Sequence, residues 1–322
     1  MDLDTRPLFD EFETLDIRTD ESNVFARKGG TGPGVLLLHG FPQTHLMWRN
    51  VAPLLASDFT VVCADLRGYG RSGCPASTAD HSPYSKRAMA AEMATVMNKL
   101  GFDSFSVVGH DRGGRVGYRM ALDRPALVTR LVALDVLPVA DVWERASKEL
   151  LLGYWPWSLL AQPHPLPERL VAAAPEAVID NAIATWGSAS SAFSPSARAA
   201  YADALRDPEH VHAICEEYRA AAAIDHEHDL IDRRAGRRIV CPMLALWSGS
   251  GPLGAWYEDV GGPLAVWRRW ADDVSGEAVA GGHFFAEEDP VNTADRLRNF
   301  LLGHSSRPDV SPSRANNDWK TL

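Results

Sequence analysis

Five largely apolar runs constrain this chain more than any other feature: Gly34–Leu38 (GVLLL), 59–64 (FTVVCA), 105–108 (FSVV), 131–136 (LVALDV) and 243–247 (MLALW). A strand with one wet face alternates polar and apolar residues. Runs that do not alternate belong to strands buried on both faces, as in a parallel sheet covered by helices. Helix-length stretches separate the runs, and residues 86–100 place Met89, Met93, Val96, Met97 and Leu100 at helical spacing. The expected fold is therefore α/β, a mostly parallel central sheet flanked by helices. Looser β-rich stretches at 12–18 and 23–28 precede the series, and 277–279 is a short last candidate.

Between residues 138 and 238 the pattern changes to repeated prolines, Ala-rich helical runs and Trp143, Trp155, Trp157 and Trp186, without a good strand. That stretch is expected to be a helical cap inserted into a core made of residues 1–137 and 239–303. The polar, Pro/Ser-rich tail 304–322 is expected to be disordered. A net charge of −10 argues against a nucleic-acid partner, which needs a basic face to displace counterions. Four scattered cysteines (Cys63, Cys74, Cys215, Cys241) form no CxxC pair, so no metal site is expected. The acidic start has no signal-peptide core, and no run approaches eighteen apolar residues, so no membrane partner is expected and the location is read as cytoplasmic. No Walker loop and no dinucleotide GxGxxG follows a strand, so no cofactor is implied.

The segment Gly109-His110-Asp111-Arg112-Gly113 follows a strand and opens a helix. This is the spacing of the G-x-S-x-G nucleophile elbow, with Asp111 where serine would stand. A serine alkoxide suits attack on a carbonyl. A carboxylate needs no deprotonation and can displace a leaving group from an sp³ carbon, giving an alkyl ester that activated water then hydrolyses. Asp could instead simply N-cap its helix. His283, in the late loop Gly281-Gly282-His283-Phe284, is the expected base. The acid that orients it is expected at a strand end. Ser248-Gly249-Ser250-Gly251 offers none, so Asp135 at the end of LVALDV is preferred, with Asp141 and Glu144 as rivals. Oxyanion donors are expected from the loop His39-Gly40-Phe41-Pro42 and from the Arg112 N–H. Arg112 and Arg115 share a face beside Asp111 and oppose the helix dipole, an arrangement suited to a bound carboxylate.

The chain resembles the α/β-hydrolase superfamily and, within it, the fluoroacetate (haloacetate) dehalogenases, over nearly all of residues 5–302. The resemblance is carried by LHGFPQTHLMW (38–48), ADLRGYGRS (64–72), GHDRGGR (109–115), ALDVLP (133–138), WSLLAQP (157–163), CEEYRA (215–220) and GGHF (281–284). It implies Asp111 as nucleophile, His283 as base, Asp135 as its orienting acid, and Arg112 and Arg115 as the carboxylate clamp. It also implies Trp157 and Tyr218 as halide donors, a small carboxylate substrate, and a homodimer. Where the family has a third halide donor, His, this chain has Pro156, which carries no donor at all. That departure predicts weak action on C–F bonds unless another group, such as His164, fills the place. An epoxide hydrolase built on the same Asp, with Tyr218 and Tyr154 as candidate oxygen donors, is the alternative. A catalytically idle ligand-binding homologue is a third reading.

Overall fold

The computed structural model describes residues 9, 11–189 and 192–304; the tail from residue 305 onward lies outside the described residues. Eight strands form one sheet: β1 (Glu13–Arg18), β2 (Asn23–Gly29), β3 (Gly34–Leu38), β4 (Thr60–Ala64), β5 (Phe105–His110), β6 (Val128–Leu134), β7 (Met243–Ser248) and β8 (Val274–Val279). Their spatial order is β1-β2-β4-β3-β5-β6-β7-β8. β1 pairs with β2, and β2 with β4, antiparallel; every pairing from β4 to β8 is parallel.

Every residue of β3, β4 and β5 is buried, which is why these runs do not alternate. The two-residue period instead divides them between two cores. Leu36, Leu38, Val62, Ala64 and Val107 face Met89, Met93, Val96 and Met97 of the helix Lys86–Lys99. Val35, Leu37, Val61, Cys63 and Val108 face Trp48, Leu55, Phe285 and Leu297 on the other side. Two expectations need correction. β6 begins earlier, at Val128, and stops at Leu134, so Asp135 lies just beyond it in a turn with φ +46. The stretch 277–279 is only the end of β8, an edge strand whose partly exposed residues and Gly276 hide it from a search for apolar runs.

All elements between β6 and β7 are helices, from Val139–Glu144 to Ile224–Arg234. Their entry and exit meet on one buried arginine. Arg119, in the helix Arg112–Asp123, donates from Nη2 to Asp229 Oδ1 at 2.7 Å and also pairs with Asp232. Asp229 Oδ2 accepts from Tyr118 Oη at 2.8 Å and from the Ala140 N–H at 3.0 Å. Among the described residues no helix is long and apolar enough to cross a membrane.

Replacing Arg119 with Met leaves buried Asp229 without its cation and Asp232 with Arg237 alone, a change that costs about 3–5 kcal/mol. The expected fall in Tm is roughly 6–20 °C, read by calorimetry. An unchanged Tm would mean that this junction does not hold the helices to the sheet.

Candidate active site

β5 runs into Asp111, whose backbone (φ +43, ψ −110) lies outside the regions L-residues prefer, and the helix Arg112–Asp123 follows at once. The turn is possible because its flanks carry no side chain. A Cβ on Gly109 would stand 2.4 Å from the Gly113 oxygen, and one on Gly113 would stand 2.5 Å from the Leu38 and His39 oxygens. The Gly113 N–H donates to the His39 oxygen at 2.8 Å, fastening the turn to the loop after β3. Asp111 makes no side-chain cap bond, so capping its helix is not its use. Oδ1 accepts from Arg115 Nη1 at 2.6 Å, and Oδ2 accepts from the Phe41 N–H at 3.1 Å. Burial pushes the carboxyl upward, but its neighbours, Arg115 foremost and then His283 and Arg112, outweigh it and hold Asp111 well below the usual carboxylate range. The side chain is thus anionic before any ligand arrives.

Asp135, one residue past β6, also has a positive φ. Its N–H still donates to the Leu246 oxygen at 2.8 Å, so the turn stays tied to β7. Its Oδ1 accepts from the Ser248 N–H at 2.9 Å, and its Oδ2 lies 2.6 Å from His283 Nδ1. The last residue of β7, at the head of the acid-free loop, therefore serves as a donor to Asp135. Ser248 Oγ steadies that loop by donating to the Gly281 oxygen at 2.7 Å. The rival acids point elsewhere: Asp141 accepts from Trp270 Nε1 at 2.7 Å and Arg269 Nη2 at 2.6 Å, and Glu144 accepts from Arg233 Nη1 at 2.8 Å.

His283 follows β8 and is fixed by its backbone, whose N–H donates to the Trp186 oxygen at 2.8 Å. Its ring meets Trp186 edge-on at 5.3 Å and lies 5.6 Å from Tyr154. With Nδ1 engaged by Asp135, Nε2 is the ring atom left for proton transfer. His110 is pushed down to about 3, by burial first and then by His283, so it is neutral at ordinary pH. Its Nε2 lies 2.9 Å from the His283 oxygen, which requires the proton on Nε2.

A cavity lies above these groups. Asp111, Arg115, Asp135 and His283 line it, together with Tyr154, Pro156, Trp157, Trp186 and Tyr218 from the helical insertion. Phe41, expected to offer a backbone N–H, and Arg112, expected to clamp the substrate carboxylate, do not wall it. The Phe41 ring stands behind Tyr218, edge-on at 5.7 Å, so its contribution here is the N–H on Asp111. The Arg112 guanidinium lies 4.0 Å from the centre of the Tyr218 ring and donates from Nε to Glu217 Oε1 at 2.8 Å. The anion the two arginines were expected to await is thus partly internal: Glu217 for Arg112, Asp111 for Arg115. Both retain capacity, because Arg112 Nη1 and Arg115 Nε are buried without a partner. His164 does not reach the cavity; it is 64% exposed and pairs with Glu168 at 3.2 Å.

Glu217 and Trp186 belong to the site or its support without having been singled out for those roles, and Tyr154, expected only as an epoxide oxygen donor, lines the cavity as well. The ring of Tyr154 packs on Trp186 and Trp256, and its hydroxyl is buried without a partner. Its neighbours Pro156 and Trp157, and the excess of tryptophan in this stretch, were the available signal. Among the described residues His164, Glu168 and His212 bring metal-ligating atoms within 4.8 Å of one another. Arg219 Nη2 already stands 2.8 Å from the same Glu168 oxygen, so a fixed cation serves that carboxylate.

The model of the α/β-hydrolase fold family matches residues 33–290. The chain is 41% identical to a fluoroacetate dehalogenase of Burkholderia sp. over 91% of this chain and 95% of that protein. It is 31% identical to a soluble epoxide hydrolase of Corynebacterium sp. (strain C12), over 84% of this chain and 91% of the other. The crystal structure of ALR0039 from Nostoc sp. PCC 7120 superposes with a TM-score of 0.88 at 46% identity, covering 92% of this chain and all of that one. The sheet order, the strained aspartate turn after β5 and these matches agree: the chain belongs to the α/β-hydrolase family.

Proposed function

We propose that this protein is a cofactor-independent dehalogenase of small 2-halo carboxylates, converting them to 2-hydroxy acids through an ester on Asp111. The observation that carries the reading is an ionised Asp111 facing a cavity that also holds Arg115, with an unpartnered N–H, and the Asp135–His283 pair. The similarity to the Burkholderia fluoroacetate dehalogenase supports it.

In this mechanism the substrate carboxylate takes up the free N–H groups of Arg115 and Arg112. Arg115 Nη1 must then loosen from Asp111 Oδ1, which frees a lone pair for attack. That oxygen forms a bond to the carbon bearing the halogen, and the halide departs with the bonding pair. In this reading Trp157 and Tyr218, which line the cavity, receive it through Nε1 and Oη. His283 Nε2 next takes a proton from water, and the hydroxide adds to the Asp111 carbonyl carbon. The Phe41 N–H, already on Oδ2, and the Arg112 N–H hold the oxyanion. Collapse expels the 2-hydroxy acid, whose new hydroxyl takes the proton from His283, and Asp111, left as the neutral acid, releases water's second proton to solvent and is an anion again. Asp135 keeps the imidazole in the correct tautomer throughout.

Pro156 stands in the cavity wall without a donor. Fluoride departs only with strong help, and one missing donor costs roughly 2–4 kcal/mol, or about 30- to 900-fold in rate. A second reading has its own observation: Tyr154 and Tyr218 both line the cavity, and a tyrosine pair can polarise an epoxide oxygen, as the similarity to the Corynebacterium epoxide hydrolase would suggest.

Bromoacetate and chloroacetate are expected to release halide, fluoroacetate far more slowly, and styrene oxide to give no diol. Diol without halide would transfer the case to the epoxide hydrolase. Asp111→Asn is expected to abolish halide release; an active variant would sink the mechanism. His283→Asn should leave the Asp111 peptide heavier by the carboxymethyl group after bromoacetate. Asp135→Asn should lower kcat by about 10⁴-fold, because its amide favours the wrong imidazole tautomer; a loss below tenfold would contradict the assigned role.

A further inference from the structure

Glu217 lies on the helix Pro208–Ala222, next to Tyr218, and is wholly buried. Its carboxylate collects donors from three separate parts of the core. Arg112 Nε and Lys86 Nζ each stand 2.8 Å from Oε1, and Tyr69 Oη donates to Oε2 at 2.6 Å. Arg112 Nη2 also reaches the Glu217 backbone oxygen at 3.3 Å. Lys86 shares its charge with Asp225, 3.4 Å away. The set Arg112, Lys86, Glu217 and Asp225 is electrically balanced, which is what allows four ionised groups to be buried together.

For Arg112 this cluster has a geometric consequence. A free guanidinium rotates and presents any of its five N–H groups. Here one face lies against the Tyr218 ring, and Glu217 occupies Nε and Nη2. The edge left is Nη1, buried and without a partner. The Lys86 ion pair and the Tyr69 hydrogen bond fix Glu217 independently of Arg112, so the orientation is set by the cluster rather than by Arg112.

We propose that Glu217 is a positioning residue for the substrate carboxylate: its carboxylate holds Nε of Arg112 and its backbone oxygen holds Nη2, so that Nη1, set back from the cavity lining behind Tyr218, is the preset donor left for a carboxylate bound at Arg115. This rests on the reading of Arg112 and Arg115 as a carboxylate clamp. Glu217 acts only through Arg112. The carboxylate is bound alike before and during C–halogen cleavage, so loss of Glu217 weakens binding and spares the chemical step. Tyr69, which only holds Glu217, acts in the same direction and more weakly.

The test compares the full-length parent, Tyr69→Phe and Glu217→Gln. Bromide release from bromoacetate gives KM and kcat, tryptophan fluorescence follows acetate binding, and Tm reports folding. KM and the acetate Kd are expected to rise about 2- to 5-fold in Tyr69→Phe and about 10- to 100-fold in Glu217→Gln, with kcat within about threefold. Loss of kcat with KM and acetate binding unchanged would overturn the proposal, because that is what a merely structural role gives. If Glu217→Gln does not fold, Tyr69→Phe decides: an unchanged acetate Kd there overturns the proposal. A parent that binds acetate but releases no bromide removes the dehalogenase reading, and the acetate titrations still judge Glu217. A parent that does not bind acetate overturns both.

Discussion

A carboxylate kept ionised inside a protein interior is the constraint on which the rest of this structure depends. Burial favours the neutral acid, and Asp111 escapes that outcome only because Arg115, His283 and Arg112 surround it. Each of those groups has to be held in turn. Glu217 restrains Arg112, Asp135 restrains His283, and the Phe41 N–H meets the second carboxylate oxygen. The backbone bears part of the cost: Asp111 and Asp135 both adopt positive φ, a conformation worth about 1–3 kcal/mol of strain each. Parallel strands absorb it, since β5, β6 and β7 end side by side and the turns beyond them bond to their neighbours.

The helical insertion closes this arrangement over the cavity and also contributes to its charge balance. Glu217 comes from the insertion, while Arg112, Lys86 and Tyr69 come from the core. Arg119 with Asp229 and Asp232 fixes the insertion's exit helix to the helix that follows Asp111. Two buried ionic clusters therefore join the insertion to the same helix. Removing water from the cavity strengthens every charge interaction left inside, which suits a reaction that moves negative charge from a carboxylate to a departing anion.

Much of this was legible in the sequence, for identifiable reasons. β3, β4 and β5 are buried on both faces, and such strands announce themselves as apolar runs. β8 is an edge strand, and β6 carries the polar pair Thr129 and Arg130 directly after its first residue, Val128, so their limits were hidden. Asp111 stood out because only a strained turn needs Gly109 and Gly113 together. Asp135 and His283 could be sought at strand ends, and the structure brings them within 2.6 Å. What local spacing could not carry was the pairing of Arg112 with Glu217, 105 residues apart. That pairing decides which edge of Arg112 stays free and why its side chain stands behind Tyr218. His164 looked able to replace the donor missing at Pro156, yet its pairing with Glu168 turns it to the surface.

The central claim is that Asp111, and not water, attacks the substrate carbon. A single turnover of bromoacetate in water enriched in the heavy oxygen isotope, with enzyme in excess, tests it directly. The product oxygen then comes from Asp111, so the first glycolate should be unlabelled and the Asp111 peptide should carry the heavy isotope. Labelled glycolate from the first turnover, with an unlabelled Asp111 peptide, would mean direct displacement by water and would contradict the account.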